Sequence, residues 1–477
     1  MRILEVLLVL LLAGVAVCVL VGRWPRAGRL LLASALLVLV AHALFDGAHW
    51  QMIPAYAAAG ILSLVAWRTG KDAIRWQRLT ACSALLFAFA SVIFSFVLPI
   101  FNLPEPTGTY SVGTAILYFK DTARVEDAAP TSGSPRELMV QLWYPAQPSH
   151  NRVARYRESR ETNLLSSYQS VVPTHSRLDA PVAQADAPFK VILLNHAWGG
   201  RRTNDTFLTE ELASHGYVVA SIDDTYNARL VAFPDGRVVH GIASSIIQNP
   251  ESSTEEQVKA IWNKELAKSV ADQRFVLDRL EALNHAAGSP WFRRLDTNMA
   301  GALGHSFGGA AATAVCAADR RVHAAVNMDG WFFDAIRARG PNQQLLVMDA
   351  YTPDGAENSK SGENVEAALD ASDFADVETS LHKFGGYLLL VNGAAHEDFT
   401  DQPLISPLRS LSHRGTLSAN EIQGIVRNYV VAFFDKTLHG EDPQILRAHS
   451  SPFAEASLRA WPESENKSVS FTPVDGR

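Results

Sequence analysis

The chain has 477 residues, 48% of them apolar and 19% charged, with a formal net charge of −7. That length is too great for one ordinary domain and allows two or three. The first 101 residues carry eight basic and three acidic side chains, which leaves the remainder at −12; so acidic a remainder argues against nucleic acid as a partner, because phosphate binding needs clustered Lys and Arg.

Four apolar runs open the chain, at residues 3–22, 29–45, 52–67 and 79–101. The first and last are long enough to cross a bilayer's hydrocarbon core as helices; the middle two are shorter and the third is the weakest. Trp24, Trp50, Trp67 and Trp76 flank the runs as interface anchors do. A cleaved signal peptide would be followed by soluble sequence, whereas "RWPRAGR" and another apolar run follow here. A membrane-integral region of about four helices over residues 1–101 is therefore expected. No charged cluster falls inside a run, so its expected role is that of an anchor. "GRWPRAGR" and "RTGKDAIRWQR" are basic, while "FDGAHWQM" between them has no Lys or Arg. The positive-inside rule places the two basic loops in the cytoplasm and everything after the fourth helix on the outer or periplasmic side of a bacterial-type inner membrane. If the third run does not cross, the remainder faces the cytoplasm instead.

Pro104 and Pro106 end the last apolar helix, and the pattern then changes to alternating strands and helices over residues 102–477. "ELMVQLWYP" reads as a strand. "KVILLNH" and "YVVASID" are continuous apolar runs of the kind buried on both faces of a parallel sheet. "FLTEELASHG" reads as a helix closed by Gly216, and residues 254–284 as a long amphipathic helix. "NMAGALGHS", "AAVNMDG" and "GYLLLVNGAAH" read as further strands, and residues 419–438 as a helix. Residues 148–187 are polar and irregular, and read as a surface insertion. Asp235-Gly236 within "FPDGRVV" signals a hairpin turn. Alternating β and α units predict an α/β fold with a mostly parallel sheet covered on both faces. Of the three cysteines, only Cys316 lies in this part, so no disulfide framework exists there.

The stretch "LGHSFGGAAA" places Ser306 in the order G-x-S-x-G, after a strand of small apolar residues and before a helix. That setting is a nucleophile elbow. Gly304 and Gly308 supply the room a sharp turn needs, and the helix N-terminus points free N–H groups at developing negative charge. A serine hydroxyl needs a base and the base an orienting acid, in the chain order Ser, Asp or Glu, His. Asp329, after "VHAAVNM", and His396, after "YLLLVNGAA", both follow strands. Asp334 and Asp349 are rival acids, and His382 and His413 rival bases. His305 is expected to pack against the sheet. Phe307 N–H is the expected first oxyanion donor. Trp198 N–H, in "LLNHAWGGRR" with His196 shaping the turn, is the expected second. "GWFF" at 330–333 lines an acyl pocket or packs the core.

Together "PTGTYSVGTAILYF", "RELMVQLWYPA", "VILLNHAWGG", "GHSFGGAAA", "NMDG" and "GAAHEDFTD" resemble the platelet-activating factor acetylhydrolase family of α/β-hydrolases, the plasma and type II kind, over roughly residues 105–440. The 23-residue spacing from Ser306 to Asp329 is also similar. The resemblance implies an α/β-hydrolase fold and a metal-free, cofactor-free triad of Ser306, Asp329 and His396. It further implies phospholipids with short or modified sn-2 acyl chains as substrates. Where that family has glycine after the oxyanion-loop histidine, this chain has Ala197. The four N-terminal runs lie outside the family's core. A carboxylesterase or dienelactone-hydrolase-like enzyme for small soluble esters is the alternative, and a non-catalytic membrane sensor or scaffold is a second one. No feature calls for an obligate protein partner.

Overall fold

The computed structural model describes residues 1–21, 27–65, 73–242, 253–332, 343–351, 365–447 and 451–461. The chain divides into two compact units. One comprises Met1–Pro104, Arg152–His175 and Asp401–Arg414; the other comprises Glu105–Asn151, Ser176–Thr400 and Gly415–Arg477.

The first unit begins with helices α1 (Ile3–Leu20), α2 (Arg29–Ala41), α3 (Ile53–Val65) and α4 (Ala73–Val97). Helix α1 packs against α2 and α4, and α3 against α4. The shared interior is Leu8, Leu12, Val15, Leu32, Met52, Leu62 and a series of alanines, among them Ala35, Ala58, Ala81 and Ala84. Small residues let the helix backbones approach closely. The outward faces are equally apolar: Leu10, Leu37 and Phe89 are each more than 60% exposed. Helices apolar on every face suit a surrounding hydrocarbon phase rather than water. Among the described residues, three stretches are long and apolar enough to cross a membrane: Ile3–Leu20, Arg29–Gly47 and Arg75–Val97. The third of the four expected runs forms α3, with 13 residues in its described part. Trp67 and Trp24 lie outside the described residues.

Part of the stretch expected to be a surface insertion belongs to this unit. Trp50 Nε1 donates to the Leu165 carbonyl at 3.0 Å, and the Phe101 and Tyr156 rings meet edge to face at 5.1 Å. The Ser406 hydroxyl donates to the Val97 carbonyl at 2.6 Å.

The strands, in chain order, are β1 (Ser111–Val125), β2 (Pro135–Ala146), β3 (Val153–Arg155), β4 (Pro173–Leu178), β5 (Phe189–Asn195), β6 (Tyr217–Asp223), β7 (Leu230–Ala232), β8 (Val238–His240), β9 (Leu295–His305), β10 (Val322–Met328), β11 (Gln344–Tyr351), β12 (Gly386–Asn392) and β13 (Ala456–Trp461). The second unit is built on a sheet in the spatial order β13-β12-β11-β10-β9-β5-β6-β2-β1-β4. Strands β6, β5, β9, β10, β11 and β12 run parallel; β2 joins β6, β1 joins β2 and β13 joins β12 antiparallel. The strands read as continuous apolar runs form the centre: β5 and β6 are buried almost throughout. The Asp-Gly turn joins β7 to β8, with Gly236 at φ 91°. Strands β1 and β13 were not anticipated. Strand β1 was missed because its exposed half interrupts the apolar pattern.

The helices of this unit are α5 (Thr206–Ser214), α6 (Glu255–His285), α7 (Phe307–Ala318), α8 (Val365–Phe384) and α9 (Ala419–Phe434). A capping box starts α6: Gln257 N–H donates to Thr254 Oγ1 at 3.3 Å, and Thr254 N–H to Gln257 Oε1 at 3.0 Å. Ser418 and Glu421 cap α9 in the same way. The register of the parallel strands positions the site. Asn195 pairs with Gly304, and His305 with Met328. The residues that follow, His196, Ser306 and Asp329, therefore leave the sheet at one edge, where ligand sites of parallel α/β sheets lie.

Candidate active site

Ser306 sits between β9 and α7 at φ 55°, ψ −123°. For a residue with a Cβ this conformation costs about 1–3 kcal/mol and persists only where the surroundings enforce it. They do so through close backbone approach. A Cβ on Gly308 would collide with the Asn195 carbonyl, and one on Gly304 with the backbone of Gly308. The turn is also held by Ser306 N–H donating to the Met328 carbonyl at 2.8 Å.

Asp329 follows β10 and His396 follows β12, as the sequence predicted. His396 Nδ1 and Asp329 Oδ2 are 2.6 Å apart. The other carboxylate oxygen, Oδ1, accepts from Ala350 N–H at 2.8 Å. Burial by itself raises the Asp329 carboxyl, but the hydrogen bond and charge of His396 outweigh it and hold the group below the usual carboxylate range. Burial likewise depresses His396, and the Asp329 hydrogen bond and charge more than reverse that, so the imidazole lies above its ordinary value. Each partner favours the charged form of the other. Among the described residues no hydrogen bond joins the Ser306 hydroxyl to His396; such contacts are often long in a resting site and tighten with substrate.

The rivals are placed as well. Asp349, in β11, lies within hydrogen-bonding reach of the Asp329 carboxyl, but the histidine contact goes to Asp329. His382 packs on Trp461, with ring centroids 5.5 Å apart. His413 belongs to the first unit. Asp334 lies outside the described residues.

Neither expected oxyanion donor is consumed by the fold: the N–H groups of Phe307 and Trp198 have no acceptor among the described residues. The Trp198 loop is fixed by Gly199 N–H donating to the Asn227 carbonyl at 3.0 Å and Gly200 N–H to the Ala197 carbonyl at 2.7 Å. His196 is buried, with Nδ1 2.7 Å from the Ala197 carbonyl oxygen. The side chains of the two donor residues stack edge to face at 5.5 Å. Trp262 from α6 adds contacts of 5.1 Å to Phe307 and 5.9 Å to Trp198. Trp331 meets Trp262 at 6.1 Å, whereas Phe332 is buried in the main core. Both described aromatic side chains of "GWFF" thus pack against apolar clusters, and Phe333 lies outside the described residues.

Several supporting residues carried no sequence signal. Asn195, the last residue of β5, donates to Asp224 at 3.0 Å and to Ser269 at 2.8 Å. Burial, and then the Asp272 charge, push Asp224 up to about 6. Asp398 accepts from Ala395 N–H and Gly415 N–H, both at 2.9 Å, which fixes the turn carrying His396. Only the fold brings such pairs together.

Residues 98–445 match the sequence profile of the family described as "Platelet-activating factor acetylhydrolase, isoform II". The chain belongs to the platelet-activating factor acetylhydrolase family. Among relatives of this acetylhydrolase family, a "Probable 1-alkyl-2-acetylglycerophosphocholine esterase" of Arthroderma benhamiae is 26% identical, covering 77% of this chain and 96% of its own. The "Platelet-activating factor acetylhydrolase" of Canis lupus familiaris is 22% identical over 63% of this chain and 68% of its own. Among solved structures, a ferulic acid esterase from Streptomyces cinnamoneus aligns with a TM-score of 0.59 and 30% identity, covering 75% of this chain and 98% of that one. An esterase neighbour and the mostly parallel sheet agree with an α/β-hydrolase fold, and this member of the acetylhydrolase family is a carboxylic ester hydrolase.

Proposed function

We propose that this hydrolase cleaves its ester through an acyl-serine at Ser306. His396 takes the proton from the Ser306 hydroxyl as it attacks the carbonyl carbon. Asp329 holds the imidazole by Nδ1 and stabilises its cationic form. The N–H groups of Phe307 and Trp198 receive the oxyanion. The imidazolium then protonates the departing alcohol, and water repeats the sequence with His396 as base. The observation that carries the reading is the 2.6 Å Asp329–His396 contact at the same sheet edge as the strained Ser306.

The substrates we propose are phospholipids with short or modified sn-2 acyl chains. The family and the fungal relative's name support this. So do the long apolar helices of residues 1–101, which we read as a membrane anchor for the catalytic part at residues 102–477. With four crossings the catalytic part faces outward from a bacterial-type inner membrane. Four aromatic rings beside the oxyanion donors, with the ferulic acid esterase likeness, favour a second reading: small esters with bulky or aromatic acyl groups.

An acyl series decides between them. Full-length protein in detergent is assayed on p-nitrophenyl acetate, butyrate and octanoate, on a feruloyl ester, and on phospholipids differing only in the sn-2 chain. Preference for the short-chain phospholipids supports the first reading, and preference for the feruloyl ester the second. Equal rates for wild type and Ser306→Ala on every substrate sink both. So does a fluorophosphonate probe that labels a different serine.

A further inference from the structure

The helical unit holds a polar cluster where its sequence promised only an anchor. We propose that Glu5, His42, Asp46 and His49 bind one divalent first-row transition ion of the zinc class. Donor atoms of Glu5, His42 and Asp46 all lie within 4.8 Å of one another. Glu5, His42 and His49 are buried, and the Asp46 side chain is 20% exposed. His42 Nδ1 is 3.2 Å from Asp46 Oδ2, and His49 Nε2 is 3.2 Å from Glu5 Oε1. With bonds of 2.0–2.1 Å, the edge of a tetrahedral zinc site is about 3.3 Å, so each pair by itself has the spacing of two ligands, and His49 would join the other three through its contact with Glu5.

The outer partners decide which ring nitrogens are free. Gln51 donates from Nε2 to the Leu98 carbonyl at 3.0 Å, which orients its amide and presents Oε1 to His49 Nδ1, also at 3.0 Å. His49 Nδ1 is therefore the protonated nitrogen, and in the neutral ring Nε2 turns a lone pair toward the Glu5 carboxylate. His42 Nε2 is 2.8 Å from the Tyr56 hydroxyl, a partner that can take its proton when an ion occupies Nδ1 beside Asp46. Metal-ligating histidines are oriented by such second contacts. With the rings in these tautomers, two imidazole nitrogens and two carboxylates would line one buried space, the donor set of a bound cation. Arg2 supplies one positive charge, with Nε 2.8 Å from Glu5 Oε1 and 4.0 Å from Asp46 Oδ2. Two carboxylates against one guanidinium leave a negative charge. Arg2 precedes α1 and is about a quarter exposed, so it can turn outward as an ion enters.

An independent feature marks the same place. Residues His42–Gly47 form a π-helical turn, a rare form that recurs at functional sites, and His42 and Asp46 both sit on it. Two imidazoles with two carboxylates favour zinc, manganese or iron over magnesium or calcium. An ion there would tie the start of α1 to the segment between α2 and α3.

The test uses the full-length chain in detergent, stripped with a chelator, dialysed against zinc and desalted. Elemental analysis should find one zinc retained per chain, and cobalt loading should give visible ligand-field bands. His42→Ala and Asp46→Asn should each lose the zinc and the bands while still hydrolysing p-nitrophenyl acetate, which reports that they fold. Asp46 is partly exposed, so its variant serves if His42→Ala does not fold. Failure of wild type to retain zinc overturns the proposal. So does equal retention by wild type and Asp46→Asn.

Discussion

His305 donates from Nε2 to the carbonyl oxygen of His396 at 2.7 Å, with the two rings 4.5 Å apart. The residue before the proposed nucleophile thus holds the backbone of the proposed base. A carbonyl only accepts, so Nε2 carries the proton; Nδ1 is buried without a partner among the described residues. Burial, and then the charge of His396, lower the His305 pKa to about 3.

This predicts an acid sensitivity. The folded pKa lies below the unfolded value of 6.5, so the neutral ring's contribution is fully present above that value. It is lost as pH falls from there toward about 3. One proton changes stability by up to about 1.4 kcal/mol per pH unit. Urea midpoints should therefore fall between neutral and mildly acid pH in wild type, and less steeply in His305→Gln. Equal slopes would remove His305 as the cause.

The raised His396 pKa sets the direction of the activity profile. The base must be neutral, so kcat/KM should rise with pH through an inflection above the ordinary imidazole value. Asp329→Asn removes the raising charge; the inflection should move down and kcat fall by about 10⁴-fold. An inflection unmoved in that variant would assign the base elsewhere.

The Trp198 N–H is testable apart from its ring. Trp198→Pro deletes the donor and Trp198→Ala keeps it. The proline variant should be slower than the alanine variant by about 10²–10³-fold in kcat. Equal rates would take Trp198 out of the oxyanion site.

Gly330 lies directly beneath the elbow. A Cβ there would strike the Ser306 carbonyl oxygen. Gly330→Ala should cost about 1–3 kcal/mol, as overpacking does, and should lower kcat as the serine is displaced. Unchanged thermal unfolding and kcat would contradict the placement of this turn.

Membrane orientation follows from whether α3 crosses. A C-terminal alkaline phosphatase fusion is expected to be active, which requires four crossings. An inactive fusion places the catalytic part in the cytoplasm and leaves the three longer helices as the spans.

The elements legible in the sequence were those whose environment is uniform. "KVILLNH" and "YVVASID" are surrounded by protein on both faces, so every residue is apolar and the run declares itself. Strand β1 is half exposed and mixes Lys120, Asp121 and Arg124 with apolar residues, so no pattern marked it as a strand. The elbow was legible because its glycines are demanded by backbone collisions. Glu5, His42, Asp46 and His49 were not, because Glu5 lies far along the chain from the other three and no local spacing joins it to them.

By itself the sequence determined the alternation of buried strands and helices, the elbow at Ser306, and the strand-end positions of Asp329 and His396. Those follow from local rules: side-chain period, glycine where no Cβ fits, and chain order along parallel strands. Only the tertiary structure decided that Asp329, with Asp349 beside it, receives the His396 imidazole. It also decided that His305 braces the His396 backbone, and that Glu5 of α1 meets His42, Asp46 and His49 from the segment between α2 and α3. Those relationships depend on strand register and helix packing, which set distances between residues far apart in the chain and leave no periodic trace in it.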